Sequence, residues 1–255
     1  MNPKNLKRIL LLTTIAAIIT MGFRAPISQD LSYHSFADVR LMFGIANFWN
    51  VASNLGFIMV GFMGLYQLFV TRRLMIVAQV KTAYSVFFIG VALVVLGSGF
   101  YHFAPSNATL IWDRLPMTVA FMALLSMVFA EFLSVVWARR SLWPLLGVGL
   151  ASAVYWYYGE LHGVGDLRAY VLVQFLPVVL IVLLLIFGQN VFNAASGYIW
   201  LLASYVLAKA CEHFDAPIFE FTHGVMAGHA LKHVLAALGL YALLRCMMAR
   251  RLRHG

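Results

Sequence analysis

The chain is a series of long apolar runs joined by short polar links, and that alternation restricts it to very few folds. The runs fall at about 6–23, 44–70, 83–102, 114–137, 142–158, 169–187, 198–214 and 226–248. A stretch of roughly 18 or more apolar residues is long enough to cross the hydrocarbon core of a bilayer as a helix. In lipid the backbone must satisfy its own hydrogen bonds, so only helices or a closed barrel remain. Barrel strands alternate polar and apolar residues, and these runs do not. Only 11% of the 255 residues are charged and 63% are hydrophobic, a balance foreign to a water-soluble globule. The sequence predicts an all-α, polytopic membrane helix bundle.

Charge placement supplies a topology. The formal net charge of +9 would suit nucleic acid if it were spread over a surface. Instead, twelve of the 18 Lys and Arg flank apolar runs: Lys4, Lys7, Arg8; Arg72, Arg73, Lys81; Arg139, Arg140; and Arg245, Arg250, Arg251, Arg253. This is the positive-inside pattern, so the charge reports orientation and no nucleic-acid partner is expected. With the N-terminus inside, links 71–82 and 138–141 and the C-terminal tail also fall inside. Links 24–43, 103–113, 159–168 and 215–225 fall outside, and eight of the nine acidic residues, all but Glu131, lie on or near that side. Cys211 and Cys246 then lie near opposite faces, which argues against a disulfide between them.

Lys4, Lys7 and Arg8 before Ile9–Phe23 resemble a secretory signal, but no small-x-small cleavage site follows. The expected organisation is an uncleaved anchor helix at 1–24, an outer loop at 25–43, a seven-helix bundle at 44–248 and a basic cytoplasmic tail at 249–255.

Histidines lie within these apolar runs, where polar side chains are costly and usually mark function. His102 ends the third run, and Ser98 precedes it by one turn on the same face. Asp113 stands at the start of the fourth run, and His229 and His233 begin the last. A His pair at i and i+4 shares one helix face, about 6 Å apart along the axis, a spacing that suits a metal ion. The topology brings all these residues to one depth near the outer face. Three imidazoles leave one tetrahedral position open, as in catalytic zinc sites, where bound water ionises near neutrality. Asp113 can hold or deprotonate such a water, and Ser98 can donate to an oxyanion. Plainer readings stand beside these. A lone membrane His is often a helix-packing hydrogen bond, and transmembrane His also ligates haem. Asp113 can be a helix N-cap with Pro116 behind it, and Ser98 can be small-residue packing. Asn47, Asn50, Ser53 and Asn54 form a polar stripe, read as interhelical glue or as support for a metal shell. His213 and His223, with Glu212, Asp215 and Glu220, are either partners of the ligand imidazoles or a solvated loop. Lys209 and Lys232 are expected to snorkel outward.

Three stretches resemble the alkaline ceramidases, seven-helix membrane hydrolases whose superfamily includes adiponectin- and progestin-type receptors. Phe48-Trp49-Asn50-Val51-Ala52-Ser53-Asn54 is similar to the family's first-helix motif. Ser98-x-x-x-His102 followed by Asp113 is similar to its SxxxH…D pair, and His229-x-x-x-His233 to its last-helix HxxxH. The resemblance implies that His102, His229 and His233 bind zinc, with Ser98 and Asp113 near the metal-bound water. It also implies hydrolysis of a fatty-acyl amide, with a membrane lipid as substrate. Eukaryotic members carry an acidic calcium segment and a Glu where Asn47 stands here. Asp30, Asp38 and Arg40 are too poor in carboxylate for that segment, so calcium is not expected. The extra first helix and compact links suggest a bacterial, inner-membrane cousin. An acyl-ester hydrolase at the same site, a non-enzymatic lipid receptor and a haem protein are the alternatives.

Overall fold

The computed structural model describes residues 1–253; the last two residues of the expected basic tail, His254 and Gly255, lie outside the described residues. The apolar runs become helices: α1 (Pro3–Phe23), α2 (Phe48–Ala52), α3 (Leu55–Phe69), α4 (Lys81–Phe103), α5 (Asn107–Phe132), α6 (Val135–Leu161), α7 (Arg168–Phe187), α8 (Ser196–His213), α9 (Asp215–Phe221) and α10 (Gly228–Ala249). Among the described residues there is no strand, only two isolated bridges. Among the described residues, six spans are long and apolar enough to cross a membrane: α1, α2 with α3, α4, α5, α7 and α10. The chain is therefore a polytopic α-helical membrane bundle.

Helix α5 is the central post. It packs against α4, α6 and α7, and every residue from Met122 to Phe132 is buried. Helices α3 and α4 continue the wall on one side, and α10 joins α3 to α8. Helix α1 lies outside this wall against α7 and buries only Leu6 and Leu10. Glycines permit the closest approach of α4 to α5. A Cβ at Gly97 would run into the carbonyl oxygen of Trp112, whereas Gly99 faces open space. Close packing in this Gly-Ser-Gly run thus belongs to Gly97, which leaves the Ser98 side chain for another purpose.

Several boundaries differ from the sequence expectation. The second run is two helices, because Asn54 Nδ2 donates to the carbonyls of Asn50 at 2.7 Å and Val51 at 3.4 Å. Side-chain amides that compete for backbone acceptors interrupt a helix locally. Helix α5 starts at Asn107, closed by a capping box between Ser106 and Thr109. Asp113 therefore lies inside the helix and is not its N-cap. The expected link at 138–141 lies within α6, since the turn comes earlier, at Leu133–Ser134. The expected outer loop at 215–225 contains α9.

Glu131, the acidic residue at odds with the charge pattern, is fully buried at the end of the bundle opposite the histidines. Its two oxygens accept from Arg250 Nη1 at 2.7 Å and Nη2 at 2.6 Å. Tyr84 donates a third bond to it. This pair fastens the end of α10 to α5.

Candidate metal centre

Three helices each bring polar groups to one depth. Helix α4 carries Ser98 and His102 one turn apart, α5 carries Asp113, and α10 carries His229 and His233 one turn apart. The three imidazoles converge: ring centroids lie 4.8 Å apart for His102–His229, 4.9 Å for His102–His233 and 5.3 Å for His229–His233. One ligand nitrogen from each falls within 4.8 Å of the others. The residues are 1%, 4% and 6% exposed respectively. Rings this close could share one ion, whereas two axial haem ligands face each other across a macrocycle, which disfavours the haem alternative.

The hydrogen-bond inventory tests the fit to a metal. Both ring nitrogens of His102 and Nε2 of His229 are buried without a hydrogen-bond partner. Buried polar atoms are almost always satisfied, so orphans on converging imidazoles point to a shared ligand. His233 has one nitrogen engaged: Ser53 Oγ lies 2.8 Å from its Nδ1. The same hydroxyl lies 3.3 Å from the Asn50 carbonyl; when it donates there it accepts Nδ1–H, and Nε2 is left as the bare donor atom. A three-imidazole set is suited to zinc, copper, iron or nickel and leaves coordination positions open.

The surrounding polar residues hold the imidazoles in place. Asn47 Nδ2 donates to the His102 carbonyl at 2.8 Å, satisfying an acceptor in the last turn of α4. Asn50 Nδ2 donates to the Asp38 carbonyl at 3.1 Å and ties the preceding loop to α2. The polar stripe of the second run thus braces the helices and the loop around the imidazoles. Helix α10 has no cap of its own. Asp215 of α9 supplies one, accepting from His229 N–H at 2.6 Å while its other oxygen accepts from Ala37 N–H at 2.9 Å. From the same loop, Phe36 packs its ring 5.0 Å from that of His102 and 4.5 Å from that of His229.

Of the other outer residues singled out in the sequence, His213, His223 and Glu220 are exposed and make no bond to the imidazoles. Lys232 does not snorkel outward, its side chain being 15% exposed, whereas Lys209 keeps 37% of its side chain exposed. Both donate to Glu212 at 2.6 Å, because a carboxylate inside the bundle offers a better partner than the interface.

A cavity of about 340 Å³ adjoins His233 and is lined by Ser98, Asp113, Arg114, Lys209, Glu212 and Lys232 among others. Ser98 and Asp113 both belong to its polar wall. A second cavity of about 170 Å³ shares Phe57, Val94, Met117, Phe121, Tyr205 and Ala236 with the first, and is otherwise lined by Phe, Leu, Ile, Val and Ala. Together they form a slot with a polar head beside the imidazoles and an apolar tail between the helices. Several polar lining residues had no role assigned from sequence, among them Gln29, Tyr33, Arg114, Tyr170, Gln174 and Tyr205. Only Arg114 carried a signal, as a charge in an apolar run beside Asp113.

The family model described as Ceramidase matches residues 37–254. No curated protein matches the chain.

Proposed function

The chain belongs to the ceramidase family, hydrolases of amide bonds, and from that premise we propose that it is a zinc-dependent lipid amidase working within the bilayer. The observation that carries this reading is the set of orphaned imidazole nitrogens on His102 and His229, converging with His233 beside a cavity with a polar head and an apolar tail. His102, His229 and His233 would hold the zinc. When bound, zinc supplies a Lewis acid that polarises a carbonyl and brings the ionisation of water to about pH 7.

The protein's own residues do the rest. The apolar slot takes the acyl chain, and the helix walls exclude bulk water from the reacting carbonyl. Asp113 accepts the proton of the attacking water. Ser98 donates its hydroxyl to the carbonyl oxygen as negative charge develops there. The C–N bond then breaks, and the proton held on Asp113 passes to the departing nitrogen. One water is consumed, and one fatty acid and one amine leave.

In this reading residues 44–248 are the catalytic bundle and 1–24 is an anchor helix; the packing of α1 against α7 is consistent with it. The basic clusters support an orientation with both termini on the cytoplasmic side and the zinc site towards the other.

The test is direct. Purified protein in detergent is incubated with N-palmitoyl amides, and free palmitate is quantified by mass spectrometry. The expected result is multiple turnovers by the native chain and none by His229→Ala/His233→Ala. One equivalent of palmitate or less from the native chain would instead favour a binding protein.

A further inference from the structure

The polar head of the slot carries more positive charge than negative. Arg114, Lys209 and Lys232 line it against Asp113 and Glu212. Glu212 is engaged by both lysines. Arg114 forms no ion pair with any carboxylate among the described residues. Its Nη2 donates to Gln29 Oε1 at 2.6 Å, and its guanidinium carbon lies 3.9 Å from the centroid of Trp156 and 4.5 Å from that of Tyr170. Its Nη1 has no partner, although the residue is 5% exposed. The nearby Glu160 is taken by Trp156 Nε1 at 3.0 Å and Asn107 Nδ2 at 2.9 Å.

A guanidinium buried in a membrane protein is costly unless something answers its charge. Two aromatic faces and one amide oxygen answer it only in part. They also fix the plane of the group, so that little ordering remains when a ligand arrives. A planar fork of donors held this way matches a carboxylate or a phosphate. The two lysines on the other wall add to the attraction.

We infer that this cavity receives an anionic group, a carboxylate or a phosphate on the amine portion of the substrate, bound at Arg114 and attracted by Lys209 and Lys232. The inference rests on the amidase reading and narrows it: the acyl chain fills the apolar tail, and the charged half of the amide occupies the polar head. Arg114 is then a specificity-determining residue for an acidic N-acyl lipid.

Three amides with the same palmitoyl chain test it on the purified, metal-loaded protein: ceramide (neutral), ceramide 1-phosphate and N-palmitoylglycine. The expected kcat/KM for at least one anionic amide exceeds that for ceramide by about tenfold or more. The preferred arm tells phosphate from carboxylate. Arg114→Gln brings the ratio of anionic to neutral kcat/KM towards one, and Arg114→Lys retains part of it. A merely structural arginine would lower all three rates together and leave the ratio unmoved. Equal kcat/KM for the three amides in the native protein overturns the anion site and leaves the amidase reading standing. Hydrolysis of none of them overturns both. A preference that survives Arg114→Gln overturns the assignment to Arg114.

Discussion

The Ser53 hydroxyl lies 2.8 Å from Nδ1 of His233, joining the first polar stripe of the bundle to the last helix across 180 positions of sequence. That contact fixes which face of the imidazole is free. A ligand imidazole depends on such a partner for its tautomer and orientation, and losing one typically costs about 10–100-fold in metal affinity. Ser53→Ala should therefore weaken zinc binding by about that factor while the fold persists. Competition with a chelator of known affinity measures it.

Asp215 acts on the other imidazole of α10 through the backbone. It accepts from both His229 N–H and Ala37 N–H, so one carboxylate holds the helix start and the loop that carries Phe36. Asp215→Asn keeps one acceptor oxygen and loses the other. Hydrogen bonds to charged groups contribute about 1.5–3 kcal/mol. A loss of that size in unfolding free energy is expected, with weaker metal retention. Denaturant titration of metal-loaded and metal-stripped protein separates the two effects.

The opposite end of the bundle offers a contrast. Glu131 and Arg250 form a fully buried pair. Removing one partner strands the other, at a cost of about 3–5 kcal/mol. Glu131→Gln and Arg250→Met should each destabilise by that order. Glu131→Leu with Arg250→Met should recover much of the loss. The folded fraction of each should bind metal as the native chain does, because the pair lies away from the imidazoles. Thermal midpoints and zinc content of the soluble fraction check this.

Much of this was legible in the sequence, and the remainder has definite physical causes. Hydropathy placed the runs, and the charge clusters marked their ends. The i, i+4 spacings of Ser98 with His102 and of His229 with His233 put each pair on one face. Depth, however, says nothing about which way a residue faces around its helix. Lys209 and Lys232 therefore looked like interfacial lysines until Glu212 stood between them. Sequence distance hid Glu131 and Arg250, which are 119 residues apart. The split of the second run was hidden because Asn54 acts on the backbone of its own helix, and hydropathy does not register that bond.

Gly97 sets the approach of α4 to α5 next to Ser98. A methyl group there meets the Trp112 carbonyl, a backbone atom that cannot swing aside. Overpacking of this kind costs about 1–3 kcal/mol. Gly97→Ala should lower stability by that order and reduce turnover further, because Ser98 is carried away from Asp113. Gly99→Ala, with open space before it, should do neither. Paired measurements of melting temperature and turnover number distinguish the two substitutions.

Acid tests the loop that closes over the site. Burial pushes the Asp38 carboxyl up, but the hydrogen bonds and charge of Arg40 outweigh it, so Asp38 titrates below its ordinary range. A carboxyl lowered in the folded state stabilises above its unfolded value, about 3.9, and loses that contribution as pH falls through the folded value. The stability gap between the native chain and Asp38→Asn should be constant above about pH 5 and close below about pH 4. Denaturant midpoints of both proteins across that range give the answer.

The central claim is that three imidazoles share one ion. Elemental analysis of the purified protein tests it most directly. Close to one zinc per chain is expected, and next to none in His102→Ala/His229→Ala/His233→Ala that still shows the native helix content. A native chain free of transition metal after purification without chelator, or a triple variant that keeps its zinc, would contradict it.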